Sequence, residues 1–165
     1  MTMMEQKIGF LYRVTVIGAD GKVKDESVTR NLMPMEAMNH LFTTCFASGA
    51  QNLSWYGGLF KTAYEPDSAD TMQRVIDSAL EFTQYESATR PQIVFAPATN
   101  GKVIGAPALV TFTAPGTVYG GFLTTSPVKG SASGLLGSIA RFPAPKQLQA
   151  GDTLKLSAEQ YGIIV

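Results

Sequence analysis

The sequence contains very few of the residues that most often carry chemistry in proteins. Its 165 residues include one cysteine, Cys45, one histidine, His40, and one tryptophan, Trp55. A single cysteine cannot form a disulfide within the chain, and one histidine without a Cys/His cluster excludes the common zinc sites. Glycine-rich phosphate loops, the GxGxxG pattern and the HExxH motif are all missing. We therefore expect no metal and no cofactor, and we assign no catalytic residue.

Charged residues are also scarce, at 16% of the chain, against about 25% in an average soluble domain. Thirteen Lys and Arg balance thirteen Asp and Glu, so the formal net charge is zero. Binding to phosphates requires a surplus of positive charge, so no nucleic-acid partner is expected. Apolar runs fall well short of the ~20 residues that span a bilayer, and the N-terminus lacks the pattern of a signal peptide. We expect a soluble protein made in a reducing cytoplasm, with no membrane partner.

The chain is instead rich in small residues and in β-strand patterns, beginning at its N-terminus. Residues 8–17 alternate between apolar and polar side chains, which is the period of a half-buried strand. Residues 18–21 read Gly-Ala-Asp-Gly, a strong hairpin-turn signal, and the more polar residues 22–30 read as an edge strand. Residues 1–30 are therefore predicted to form an N-terminal hairpin.

Two short helices are predicted, over residues 34–48 and 71–81. Pro34 suits the first position of a helix and Gly49 a helix end, while Asp70 is expected to cap the second helix with Gln73 as its reciprocal partner. We expect the apolar side chains at helical spacing to be buried. They are Met35, Met38, Leu41, Phe42, Cys45 and Phe46 in the first helix, and Met72, Val75, Ile76, Ala79 and Leu80 in the second.

Residues 53–60 read as a buried strand whose glycine pair, Gly57 and Gly58, indicates a bulge or a close backbone approach. Trp55 and Tyr56 could stack on a sugar ring, but neighbours on a strand point to opposite faces. Trp55 is expected to be mostly buried, and a carbohydrate-binding module remains an alternative function.

The β-rich half, residues 92–165, is predicted to consist of short strands separated by Pro, Gly, Asn and Ser. They are expected over residues 92–96, 109–113, 118–124, 135–142, 153–157 and 160–165. Gly101 and Gly151 are expected to occupy turns with positive φ, and residues 126–134 are expected to form a flexible loop. Strands at intervals of about 8–12 residues are typical of an all-β sandwich or barrel. We predict a single mainly β domain over residues 1–165, a jelly-roll-like antiparallel β-sandwich with one or two short helices.

Arg90 is the charged residue with the most informative position. It precedes Pro91, which favours an extended backbone, at the junction between the helical segment and the β-rich half. Its predicted role is structural, bridging backbone carbonyls or a carboxylate such as Glu86. The other carboxylates are explained by caps, turns and solvated faces, so a small hydrolase is only a remote alternative. They are Glu36, Glu65, Asp67, Asp70, Asp77, Glu81 and Asp152.

Several motifs, taken together in their order and spacing, resemble the small virion proteins of tailed bacteriophages. These motifs are NLMP (31–34), WYGGLF (55–60), YESATRP (85–91), VYGGFL (118–123) and AGDTL (150–154). The resemblance implies a capsid decoration (cement) protein with a jelly-roll fold, often a homo-trimer, that bridges neighbouring subunits of the major capsid protein from outside. It places the protein on the capsid surface of the virion, and in the host cytoplasm during assembly.

The resemblance carries over no catalytic residue, and a tail or fibre-attachment protein of the virion remains an alternative. Five residues within or beside these motifs are candidates for a structural or interface role. They are Trp55, Tyr56, Arg90, Tyr119 and Phe122.

Overall fold

Two antiparallel β-sheets face each other in the computed structural model, which describes residues 6–51 and 54–164. The first sheet has the strand order β2-β1-β9-β5, with β6 also paired to β9, and the second has the order β4-β3-β7-β8. The strands are β1 (Gln6–Ile17), β2 (Val23–Asn31), β3 (Trp55–Phe60), β4 (Gln92–Ile93), β5 (Lys102–Ile104), β6 (Ala108–Thr111), β7 (Gly116–Thr124), β8 (Leu136–Leu148) and β9 (Thr153–Ile164). The predicted mainly β sandwich is confirmed.

The N-terminal hairpin forms as predicted from residue 6 onward; residues 1–5 lie outside the described residues. β1 and β2 pair antiparallel around a turn in which Gly21 has a φ of 78°. The core-facing side of β1 buries Phe10, Tyr12, Val14 and Val16, but Ile8 near its start is 49% exposed. β2 lies at the edge of its sheet. On its other side β1 pairs with β9 along its whole length, from Gln6 opposite Ile164 to Ile17 opposite Thr153.

Strand lengths in the β-rich half differ from the prediction. The segments predicted separately over residues 153–157 and 160–165 form one strand, β9, and β8 extends to Leu148. The strand β5 (Lys102–Ile104) was missed, because three residues are too few to show a period. The predicted strand over 92–96 shortens to Gln92–Ile93. Outside the β-rich half, the strand predicted over residues 53–60 begins at Trp55; residue 53 lies outside the described residues.

Hydrogen bonds also join the two sheets at both of their edges. On one side the backbone N–H of Leu32 donates to the carbonyl of Ile139 at 2.8 Å, and the N–H of Ile139 donates back at 3.0 Å. On the other side the N–H of Ala96 donates to Ile104 at 3.0 Å. Because these bonds pair backbone groups that an open edge would expose, they stiffen the sandwich.

The largest apolar cluster lies between the two sheets, and a second cluster lies on the outer face of the second sheet. The inner cluster includes Phe10, Tyr12, Val14, Val16, Leu59, Ile93, Val110, Phe112, Leu123, Phe142, Leu154 and Leu156. The outer cluster joins Phe60, Phe122, Leu136 and Ile139 of the sheet to Met72, Val75 and Ala79. The second sheet is therefore covered on both faces.

The segment that covers the outer face is the second predicted helix, and it is irregular. A single α-turn, α2 (Met72–Arg74), runs into a π-helical turn over Val75–Ala79. The predicted cap was wrong: Thr71 caps the helix by accepting from the N–H of Arg74. Asp70 is buried instead and accepts from the hydroxyl of Tyr64 at 2.5 Å.

The first predicted helix is present as α1 (Met35–Phe46), and Pro34 caps it from an extended conformation instead of opening its first turn. The expected stop at Gly49 was also wrong in detail. The residue with positive φ after the helix is Ser48, at 57°, while the N–H of Gly49 closes the helix end by donating to the carbonyl of Thr43.

The orientation of α1 contradicts the prediction. Met35 is 54% exposed, Phe42 47% and Phe46 85%, and Cys45, expected in the core, is also exposed. Among the described side chains of this helix only Ala37 is buried. The inner cluster is filled by the two sheets and the outer face by residues 72–79, so little apolar sheet surface remains for α1 to cover.

Candidate interaction surfaces

Arg90 forms the most deeply buried ion pair among the described residues. Its guanidinium is fully buried and binds Glu81 through two parallel hydrogen bonds, Nε to Oε1 and Nη2 to Oε2, both 2.8 Å long. This fork geometry is the strongest that an arginine makes with a carboxylate. As predicted, Arg90 binds a carboxylate and backbone carbonyls, but the carboxylate is Glu81 and the suggestion of Glu86 was wrong.

The same ion pair holds the loop of residues 126–134 against the sandwich. Arg90 donates from Nη1 to the carbonyl of Ser126 at 3.1 Å and from Nη2 to that of Ser131 at 2.9 Å. Its backbone N–H donates to Pro127, and Glu81 Oε2 accepts from the N–H of Gly130. Both members of the pair thus bind the loop backbone, and we call this arrangement the Arg90–Glu81 clamp.

Lys129 adds a third attachment from within the loop. Its ammonium lies 3.7 Å from the ring centroid of Tyr85 and donates to the carbonyl of Tyr85 at 2.9 Å. Burial lowers the pKa of Lys129, although the charge of Glu81 opposes that shift. The loop predicted to be flexible is therefore anchored at several backbone points. Val128 at its tip remains 55% exposed.

Two of the five candidate residues lie in contact inside the molecule. Phe122 is fully buried, and the guanidinium carbon of Arg90 lies 5.4 Å from the centroid of its ring. Gly58 leaves room for that ring, since a Cβ there would come within 2.1 Å of Phe122. Tyr119 is partly buried against the same outer cluster. Arg90 and Phe122 therefore lie in the interior of the chain and expose no side-chain surface.

Trp55 and Tyr56 occupy adjacent positions of β3 and so point to opposite faces, as predicted. Trp55 packs against the inner cluster, and most of its surface is buried, as expected. Its ring lines an open groove of about 550 Å³ between α1 and the sandwich, which we call the Trp55 groove. The lining includes Phe10, Met33, His40, Leu41, Cys45, Gln51, Gln92, Phe95 and Gln160.

The outer side of α1 is an apolar surface that was not predicted from the sequence. We call Met35, Phe42 and Phe46 the α1 outer face. A signal for it was present: the apolar residues of the helix, from Ala37 round to Phe46, cover roughly half of its circumference at 100° per residue. One packing face needs a stripe only somewhat wider than about 100°. The excess width predicts apolar side chains that remain outside the packing face of the helix.

The acidic side chains are dispersed over the molecule and have different partners. Asp152 accepts from Lys24 at 2.7 Å, Glu36 from the N–H of Leu136 at 2.8 Å, and Glu65 pairs with Arg141. Within residues 6–51 and 54–164 no group of three or more His, Cys, Asp or Glu could hold a metal ion. In those same ranges no helix has the length and apolar character needed to cross a membrane.

No protein-family model matches the chain, and no curated protein matches it significantly.

Proposed function

We propose that this chain is a non-enzymatic structural protein of a tailed-phage virion that decorates the capsid and stabilises it by bridging neighbouring capsid subunits. The order of the virion-protein motifs along the sequence supports the class of protein. The structural support is the Arg90–Glu81 clamp, which holds residues 126–134 in one shape at the surface. In this proposal the clamped loop contacts the major capsid protein.

The clamp supports an adhesive role for an energetic reason. A buried ion pair adds little net stability, because desolvation of the two charges offsets most of their attraction. It does impose one conformation on a loop of small residues that would otherwise sample many. A loop ordered in advance loses less conformational entropy when it binds, so more of its contact energy appears as affinity.

The stiffness and the low charge density of the sandwich suit a protein that is present in many copies around a capsid. A sandwich joined at both sheet edges is stiff, and its low charge density limits the desolvation cost of contact with another protein. A specific interface buries on the order of 1,600 Å², and repeating a modest contact around a symmetric shell multiplies its effect through avidity. The chain is proposed to act as a homo-trimer.

Purified particles of the phage that encodes the chain test the assignment. Quantitative mass spectrometry should find many copies per particle, and immunogold imaging should place them over the whole head. A few copies located at the tail would replace the proposal with the tail or fibre-attachment alternative. Absence of the chain from purified particles would reject a virion role.

A rebinding experiment tests the loop as the contact surface. Particles stripped of the protein should take up added wild-type chain and should take up much less of Val128→Asp. Leu109→Asp is the matched control, because Leu109 is also 55% exposed but lies on β6. Equal uptake of all three proteins would show that the clamped loop does not contact the capsid.

The Trp55 groove favours carbohydrate binding as a second candidate function. It combines an aromatic ring with the amide side chains of Gln51, Gln92 and Gln160, a pairing of stacking surface and hydrogen-bonding groups that suits sugars. Glycan-array binding lost in Trp55→Ala, with the fold retained by circular dichroism, would support it. No change in Trp55 fluorescence at millimolar sugar would reject it.

A further inference from the structure

The α1 outer face is the largest exposed apolar feature on a helix of this protein. Met35, Phe42 and Phe46 are separated by seven and four residues, so their side chains lie in one row along the helix. With side chains of about 200 Å² each, their exposed fractions leave roughly 370 Å² of apolar surface in water. The largest apolar patch on a monomeric protein is typically ~300–600 Å² and is often functional.

The charged residues of α1 indicate what kind of partner could bind the α1 outer face. Glu36 is the only charged residue among the twelve of α1, and its carboxylate accepts from the N–H of Leu136 on the sandwich side. The α1 outer face therefore carries no ionisable group. A partner recognised through charge is not favoured by such a surface, whereas two copies of it can meet without repulsion.

The chain as a whole also lacks the charge that keeps apolar surfaces apart. Its formal net charge is zero, and proteins near zero net charge associate readily. Phe46 is 85% exposed, so its contact with another apolar surface would remove apolar area from water and be favourable.

We propose that copies of this chain associate by packing α1 against α1 through the α1 outer face. Interfaces between identical subunits are more apolar than transient ones, and a helix row of large side chains can pack against its own symmetry copy. A stable interface buries about 800 Å² on each partner. The three side chains supply nearly half of that area, and the flanking helix residues with the rim of the Trp55 groove, which meets the helix at Cys45, supply the rest.

This inference deepens the oligomeric part of the proposed function but rests on α1 alone. Association through α1 can hold for a protein that never binds a capsid. The particle experiments above would then fail while the experiment below succeeds, so the two failures are distinguishable.

Light scattering after size-exclusion chromatography tests the proposal on the full chain. The wild type should have a mass of two or three times 17.7 kDa, and Phe46→Lys should fall to 17.7 kDa. Leu109→Lys, a charge placed on another exposed apolar side chain, should keep the wild-type mass. Because Phe46 is 85% exposed, its replacement should preserve the fold, which circular dichroism and thermal melting check. Met35→Lys provides a second variant on the same face.

The single cysteine gives an independent readout of where the copies meet. Cys45 borders the α1 outer face and is exposed in the isolated chain. A thiol reagent should label it more slowly in the wild type and in Leu109→Lys than in Phe46→Lys. A monomeric wild type, an oligomer unaffected by both α1 variants, or equal labelling rates in all proteins would overturn the proposal.

Discussion

Arg90 and Glu81 form a bidentate ion pair that is sealed from solvent, with both hydrogen bonds 2.8 Å long and side chains 0% and 2% exposed. The two residues are nine positions apart in the sequence, and Tyr85 lies between them. Each also binds the backbone of residues 126–134. This pair therefore connects the covering segment of the second sheet to a surface loop.

Breaking the Arg90–Glu81 pair from one side should destabilise the protein strongly. We expect Arg90→Met to lower the free energy of unfolding by about 3–5 kcal/mol, because Glu81 is left as an uncompensated buried charge. Urea denaturation measures the loss. Arg141→Met is the matched control, since the Arg141–Glu65 pair is exposed and surface pairs contribute about 0–1 kcal/mol.

A double variant that removes both charges separates two contributions to the free energy of unfolding: the penalty of one unpaired buried charge and the net contribution of the ion pair. Arg90→Met combined with Glu81→Leu removes both charges, so it should lose less stability than the sum of the two single changes. The loop should nevertheless become more sensitive to proteases, since its backbone anchors are gone. A single Arg90→Met that costs no more than Arg141→Met would contradict the structural role assigned to the pair.

The adjacent glycines of β3 should respond very differently to a methyl group. A Cβ on Gly58 would lie 2.1 Å from the ring of Phe122, whereas one on Gly57 would meet its nearest neighbour, the end of the Ile93 side chain, at 3.2 Å. Overpacking of this kind costs typically 1–3 kcal/mol. We expect Gly58→Ala to reach or exceed that range and Gly57→Ala to cost clearly less, by thermal or urea unfolding. Equal effects would show that the Phe122 ring can move aside.

Gly101 tests the conformational requirement of a turn without any change in packing. It has a φ of 71° and follows Asn100 at 51°, the pattern of a tight hairpin turn. A Cβ at Gly101 or at Gly162 would meet nothing within 4 Å, but only Gly101 has positive φ. Gly101→Ala should therefore cost about 1–2 kcal/mol, while Gly162→Ala should be neutral or slightly stabilising. A neutral Gly101→Ala would contradict the turn conformation.

Asp152 should make stability depend on acid pH. Burial alone would raise its pKa, but hydrogen bonds from Lys24 and from the N–H of Gln149 lower it below the usual 3.8. A group whose pKa is depressed by folding contributes stability that is present above 3.8 and is lost as the pH falls below it. Asp152→Asn should cost about 1.5–3 kcal/mol at neutral pH.

The cost of Asp152→Asn should shrink as urea titrations are repeated at pH values below 4. Asp77→Asn is the control, because the side chain of Asp77 is exposed, and it should change the free energy of unfolding little. A cost of Asp152→Asn that stays constant down to pH 2 would show that charge is not the source of the stabilisation.

The elements that could be predicted from the sequence are those whose signals are local. The β1–β2 hairpin and the positive φ of Gly101 and Gly151 follow from the residues within each turn. The close approach at β3 could also be predicted locally, because a pair of glycines in a strand indicates that another group comes near its backbone. That group is the ring of Phe122, which lies where a Cβ on Gly58 would be. Arg90 was singled out by its position before a proline.

The parts of the site that escaped prediction involve residues far apart in the sequence. Glu81 was placed among solvated carboxylates, although it stands between Leu80 and Phe82 in an apolar stretch that could have indicated burial. Its second partner, Gly130, is 49 residues away. Nothing in the small residues of 126–134 shows that they are held from outside. The loop was consequently taken as flexible.

The sequence by itself determined that the chain is a β-sandwich, because strand period, turn residues and apolar positions act over neighbouring residues. Tertiary structure alone decided which of two apolar surfaces of α1 packs inward. Ala37 packs against the body and Phe46 faces water, although both belong to one continuous apolar stripe. The reason is physical: hydrophobic burial has no direction of its own, so a helix turns toward whatever apolar surface the sheets leave uncovered.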